Sequence, residues 1–180
     1  MINRMIDCLR SLRTNFNSIK LTKFNIFLAI TLGYAIMIFY LSSISDLRLP
    51  RTGMLMLNDL IRLFHHSDYA LLLSPLSPLV MQRDKLLHIM LYFGFGLLLY
   101  LTLRSSGRSI ASAVMLSVFI GALYGVSDEF HQVFVPGRSA GAMDIAADVT
   151  GVVFAQIIII LFYSIRGVLL RLSRLRYRYF

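Results

Sequence analysis

Asp84-Lys85-Leu86-Leu87-His88-Ile89-Met90-Leu91-Tyr92-Phe93-Gly94-Phe95-Gly96-Leu97-Leu98-Leu99-Tyr100-Leu101-Thr102-Leu103-Arg104 decides the fold. From Leu86 to Leu103 the run is apolar apart from His88, two tyrosines and Thr102. That length reaches across a hydrocarbon core of about 30 Å as a helix. Charge closes it at both ends, as Asp84-Lys85 on one side and Arg104 on the other. Three further runs, Phe24–Ile44, Ile110–Val126 and Ile145–Ile165, have the same character, the third-in-order Ile110–Val126 being the shortest. Composition agrees: of 180 residues, 57% are hydrophobic and 15% charged, against about 25% charged in soluble chains. A soluble domain is excluded. Cys8 is the single cysteine, so no internal disulfide holds the fold. About twenty residues precede Phe24, which reads as a retained anchor and not a cleaved signal.

Four spans place both termini on one side, together with the Arg104–Arg108 turn. Twelve basic residues fall there (Arg4, Arg10, Arg13, Lys20, Lys23, Arg104, Arg108, Arg166, Arg171, Arg174, Arg176 and Arg178) against one acid, Asp7, a net of +11. Six basic residues and eight acids remain for the other side, a net of −2. The positive-inside rule makes the first side cytoplasmic. The overall +9 is therefore a statement of orientation, and without aromatic interleaving it does not point to nucleic acid. Ile2, Met5, Ile6, Leu9, Leu12, Phe16 and Ile19 recur every three or four positions, which predicts an interfacial amphipathic helix on the cytoplasmic leaflet. Met54 to Phe64 repeats the pattern, with Asn58, Asp59, Arg62 and His65 on its polar face. Tyr69 to Met81, broken by Pro75 and Pro78, is too short to span and is expected in the outer interface.

The outer ends of three spans hold an unusual density of polar groups. Asp84, His88 and Tyr92 share a helix face by i, i+4 spacing, with Lys85 beside His88 at i, i+3. Tyr124, Asp128, Glu129, His131 and Gln132 end the third span and are followed by Pro136-Gly137-Arg138. Asp144 and Asp148 open the fourth at i, i+4. A charge in the membrane costs roughly 2.5–3.5 kcal/mol at a helix centre and less near the interface, so these groups are expected to converge and pair. Ala113, Ser117, Gly121 and Gly125 on the third span and Ala147, Gly151 and Ala155 on the fourth form small-residue faces that allow close helix approach. If these two faces pack on each other, the acids meet at the outer mouth. Gly94 and Gly96 offer a third close approach, leaving the first span peripheral.

Purely structural roles compete with this. Asp144 can serve as an N-cap and, with Asp148, pair with Arg138 while both favour the helix dipole. Lys85 can snorkel to headgroups with Asp84 as its surface partner. His88 and His131 can be interface hydrogen-bonders. A divalent metal site drawn from Asp84, His88, Asp128, His131 and Asp144 matches no short metal signature such as H-E-x-x-H.

These stretches resemble the VanZ-like family of small bacterial membrane proteins, named for a protein associated with resistance to the glycopeptide teicoplanin. The resemblance rests on Asp84-Lys85-Leu86-Leu87-His88 with Tyr92, Gly96 and Arg104, on Tyr124 through Gln132, and on Pro136-Gly137-Arg138, Asp144 and Asp148-Val149-Thr150-Gly151. It covers residues 84–155 best. Asp148 stands where many members have asparagine, which adds a negative charge, and Ala155 where a second glycine is common. The resemblance implies a place in the bacterial cytoplasmic membrane, a link to the cell envelope or antibiotic resistance, and site residues Asp84, Lys85, His88, Asp128, Glu129, Gln132, Arg138, Asp144 and Gly151.

The expected fold is all-α: an integral membrane four-helix bundle with cytoplasmic N- and C-termini and an amphipathic interfacial N-terminal helix. Residues 1–23 form the amphipathic segment, 24–165 the membrane domain and 166–180 a basic tail. Binding candidates are Asp84, Lys85, His88, Asp128, Glu129, His131, Gln132, Arg138, Asp144 and Asp148, with Gly121, Gly125 and Gly151 as packing positions. Lys85 and Arg138 would hold the phosphate or carboxylate of an envelope lipid, a peptidoglycan precursor or a glycopeptide. Alternatives are a hydrolase or transferase acting on a lipid-linked phosphate or peptide, a structural membrane module, and a transporter, for which four spans are few and no inverted repeat is visible. No nucleophile is evident: Ser127 lacks an elbow motif, and Cys8 lies on the cytoplasmic side. The site reading requires Lys85, His88, Glu129, Arg138 and Asp144 to share one cavity.

Overall fold

The structure is a computed structural model that describes residues 22–44, 51–65, 79, 82–138 and 141–176. Five helices follow one another: α1 Lys23–Ser42, α2 Arg51–His65, α3 Arg83–Ser105, α4 Ile110–Gln132 and α5 Ala142–Arg176. There is no strand among the described residues. α1, α3, α4 and α5 are long and apolar enough to cross a membrane. The chain is thus a multi-pass membrane protein. Large apolar side chains such as Met115, Phe119, Leu123, Ile158 and Phe162 stand exposed along α4 and α5, as a lipid-facing surface requires.

Local sequence sets the helix ends. Thr22 accepts a hydrogen bond from the Asn25 N–H (3.2 Å) to start α1, and Ser109 does the same for Ser112 (3.1 Å) at α4. Gly107 closes the α3–α4 turn at φ +89°, and Gly137 the α4–α5 loop at +80°, conformations that a side chain disfavours. α4 continues to Gln132, six residues beyond the expected Val126, so the third span is not short. α5 runs unbroken through the expected tail as far as Arg176. Its 35 residues make a rod of about 52 Å, well beyond the hydrocarbon thickness. The amphipathic segment 1–23 and the stretch 69–81 lie outside the described residues, apart from Thr22, Lys23 and Leu79.

α3 is the central helix, with 44% of its span residues buried against 11% for α1. The small-residue faces meet different partners from those expected. Gly151 and Ala155 pack on α3, not on α4: a methyl group at Gly151 would overlap the Ile89 carbonyl oxygen and come within 2.9 Å of the Phe93 nitrogen. Gly96 of α3 reciprocates: a methyl group there would come within 3.1 Å of the Ala155 Cβ and the Val152 Cα. The α4 face, Gly121 and Gly125, instead receives Val152 and Asp148. Small residues on both neighbours let α5 wedge between α3 and α4, so that residues 148 and 152 point to one and 151 and 155 to the other.

α1 packs peripherally, as expected, burying only Thr31, Ile38 and Ser42. Hydrogen bonds supplement its packing. Thr31 and Thr102 share one across 2.8 Å, the Tyr34 hydroxyl donates to the Leu91 carbonyl (3.1 Å), and the Tyr124 hydroxyl to the Ala35 carbonyl (2.6 Å). Each contributes about 0.6 kcal/mol in a membrane interior. Gly94 is the close approach to this helix, through the Tyr34 ring. α2 docks Leu57 against Leu79, Leu86, Ile89 and Ala147, while Asp59 and Arg62 face outward. It therefore lies over one end of the bundle.

Candidate functional site

The first turns of α3 and α5 and the last turns of α4 meet beneath α2. On α3, Lys85, His88 and Tyr92 follow one another on the inward face and are buried, while Asp84 stays at the rim with its side chain 57% exposed. On α5, Asp144 and Asp148 are buried one turn apart, and on α4 Asp128, Glu129 and Gln132 are buried together. The i, i+3 and i, i+4 spacing gives each helix one polar stripe, and the wedge of α5 brings the three stripes into register.

The α3 and α5 stripes pair with each other, while the α4 stripe bonds within itself and to the α4–α5 loop. Lys85 Nζ donates to Asp144 Oδ1 and pairs with Asp84 Oδ2 at 3.0 Å. Lys85 is therefore a buried link between α3 and α5, not a residue snorkelling to the surface. His88 Nδ1 lies 2.8 Å from Asp148 Oδ1, and its Nε2 lies 3.9 Å from Asp144 Oδ1. Glu129 Oε2 accepts from the Gly141 N–H (3.0 Å) and so ties the α4–α5 loop to α4. Gln132 Nε2 donates to Asp128 Oδ2 at 3.3 Å. Asp144 is not the N-cap: α5 begins at Ala142, and the Gly141 carbonyl accepts from the N–H groups of Asp144 and Ile145. Nor does Arg138 pair with it. Arg138 donates instead to the carbonyls of Leu41 and Ser42 at 3.4 Å each, bracing the end of α1.

Four polar atoms in this region are buried without a hydrogen-bond partner among the described residues: Asp128 Oδ1, Glu129 Oε1, Asp148 Oδ2 and the Tyr92 hydroxyl. His88, Asp128, Glu129 and Asp148 each offer a donor atom to a group lying within 4.8 Å of one another, the arrangement of a cation site. Its membership differs from the metal set expected from sequence. Asp84 is at the rim, Asp144 is bound to Lys85, and His131 is elsewhere. His131 stacks on Phe39 with ring centroids 4.2 Å apart and shares a 3.0 Å hydrogen bond with Ser43. It fastens α1 to α4 outside the cluster.

A cavity of about 210 Å³ opens beside the cluster. Ile38, Leu41 and Ser42 of α1, Met54 and Leu57 of α2, and Arg83, Leu87 and Leu91 on one face of α3 form its walls, with Asp84, His88, Tyr92, Asp128 and Arg138 supplying the polar side. Of the five residues required to share one cavity, only His88 and Arg138 line it, whereas Lys85, Glu129 and Asp144 belong to the hydrogen-bonded cluster beside it; the five-residue site is corrected to the cavity's own lining. Sequence reasoning missed Arg83 and the whole α1 and α2 contribution. The i, i+4, i+8 series Arg83, Leu87 and Leu91 was a usable signal for the first. Among the described residues around cavity and cluster, five carboxylates (Asp84, Asp128, Glu129, Asp144 and Asp148) face three cations (Arg83, Lys85 and Arg138), a formal net charge of −2 with His88 neutral.

No curated protein and no solved structure matches the chain. The sequence model of one family, described as VanZ/LLP1, does match, over residues 9–163. That interval includes the first three spanning runs, all but the last two residues of the fourth, the three polar stripes and the loop carrying Arg138. With most of its length matched, including every residue that meets at the polar end, the chain belongs to the VanZ/LLP1 family.

Proposed function

We propose that the protein binds an anionic amphiphile of the cell envelope, a lipid-linked phosphate or peptidoglycan precursor, at the outer mouth of α3, α4 and α5. A glycopeptide-type antibiotic presents similar chemistry and would give the resistance role associated with the family's namesake. The observation that carries this reading is the two-sided cavity. Aliphatic walls from α1, α2 and α3 suit a hydrocarbon chain, and Arg83 and Arg138 at its polar side suit a phosphate or carboxylate. Lys85, already engaged by two carboxylates, is not the anion's partner in this reading; it holds the helices in place. The excess of Lys and Arg toward the termini supports a cytoplasmic location for both, with the cavity facing outward from the bacterial cytoplasmic membrane.

The test is binding of a long-chain polyprenyl phosphate to the full chain in lipid nanodiscs. A charged hydrogen bond to phosphate is worth about 1.5–3 kcal/mol, so Arg138→Ala is expected to weaken binding at least tenfold. Equal affinity in the variant removes the proposal. Mass spectrometry of the lipid after incubation separates binding from the second reading, hydrolysis or group transfer, which the unpartnered carboxylates and His88 beside the cavity favour. Ser127 is exposed and apart from that cluster, so a protein nucleophile finds no support there.

A further inference from the structure

We infer that His88, Asp128, Glu129 and Asp148 form a binding site for one divalent cation. Four donors from three different helices converge within 4.8 Å. Convergence alone would describe any acidic cluster. The second observation is that each of the three acids, with no more than 4% of its surface exposed, keeps one carboxylate oxygen without a partner. An uncompensated buried carboxylate is among the costliest groups a membrane protein can hold. Three together, in a region whose described charges, these three included, sum to −2, call for a positive charge that the described side chains do not supply. A divalent ion brings that sum to zero.

The donor set defines the ion's class. Three carboxylates with one imidazole suit a borderline first-row ion such as Mn²⁺ or Zn²⁺. They do not suit Ca²⁺, which takes oxygen ligands alone, or Cu(I), which prefers sulfur. His88 Nδ1 and Asp148 Oδ1 stand 2.8 Å apart. That is a hydrogen bond, which fixes the His88 ring against Asp148 and leaves Asp148 Oδ2 as the oxygen without a partner. His88 and Asp128 also line the cavity, which gives the ion both an entry path and a face open to an anion. That last role rests on the ligand reading above; occupancy of the four residues does not.

The experiment uses the full chain in detergent, stripped with chelator, dialysed and titrated with Mn²⁺ by electron paramagnetic resonance and with Zn²⁺ by calorimetry. One ion per chain is expected. His88→Ala and Asp128→Asn should each lower the affinity at least tenfold, and His131→Ala, outside the cluster, should leave it unchanged. Metal should also raise the melting temperature of the wild type and not of the two cluster variants. Substoichiometric binding by the wild type overturns the inference, whatever the variants do, and so does equal affinity in a folded His88→Ala protein. Polyprenyl phosphate is then added with and without chelator. Metal binding at these residues with no phosphate binding supports the site and overturns the ligand reading alone; phosphate binding by a wild type that takes up no metal does the reverse.

Discussion

The two ends of the helix bundle carry similar numbers of charges and treat them in opposite ways. At the end covered by α2, Lys85, Asp128, Glu129, Asp144 and Asp148 are buried; Lys85, Asp144 and Asp148 are held by partners on a neighbouring helix, Glu129 by the α4–α5 loop and Asp128 by Gln132 on its own helix. At the far end, Lys23, Arg108 and Arg166 are exposed, Arg104 reaches back to the Arg108 carbonyl, and no acid occurs among the described residues. Cations at the far end lie where headgroups and water solvate them, so they report orientation and little else. Charges at the covered end have given up solvent. Only there does removing one group strand another, and only there does a polar cluster require a role.

The sharpest way to break this contrast is Lys85→Ala, which leaves Asp144 buried opposite no cation. A loss of about 3–5 kcal/mol is expected, read as a large fall in detergent resistance or melting temperature. Asp144→Asn keeps the shape and should cost less, so the pair of variants separates charge from packing. Next is Gly151→Ala. Its methyl group meets Ile89 and Phe93 backbone, which cannot rotate away, and about 1–3 kcal/mol should be lost. Gly121→Ala meets only the Val152 side chain and should lose less, while Gly33→Ala, with nothing within 4 Å, should be neutral. Thr102→Val removes the bond to Thr31 and should cost about 0.6 kcal/mol by thermal unfolding. Smallest of all, Arg108→Ala at the far end should change stability by no more than about 0.5 kcal/mol. A loss there as large as that of Lys85→Ala would erase the difference between the two ends.

Much of this contrast was legible in the sequence. Four apolar runs, polar stripes at i, i+4 and small-residue faces are local patterns, and hydrocarbon leaves few ways to arrange them. Which face meets which helix was not local. The small faces Ala147, Gly151 and Ala155 and Gly121 and Gly125 are equally free to pack on each other or on a third helix, and the first lies against α3. Spacing records that a face is small and not which neighbour fills it. Hydrogen-bond partners were harder still: Arg138 sits six residues from Asp144 in sequence yet braces α1, because the turn at Gly137 carries it away from the α5 stripe. His131 belongs to the same helical run as Asp128 and Gln132, but its rotation about α4 sends it to Phe39. The cavity's walls from α1 and α2 had no signal at all, since aliphatic residues look alike whether they face lipid or a pocket.

The contact between Gly151 and the Ile89 carbonyl also fixes where α3 and α5 stand along their lengths. Sliding α5 by one residue, about 1.5 Å, and turning it accordingly would bring Thr150 or Val152 to that carbonyl, and neither fits. Gly151 lies three residues past Asp148, and Ile89 one past His88. The glycine thus acts as a detent about one turn below Asp148 and two below Asp144 on α5, holding the pairs Lys85–Asp144 and His88–Asp148 in step, so that polar chemistry at the mouth is timed by an apolar contact inside the membrane.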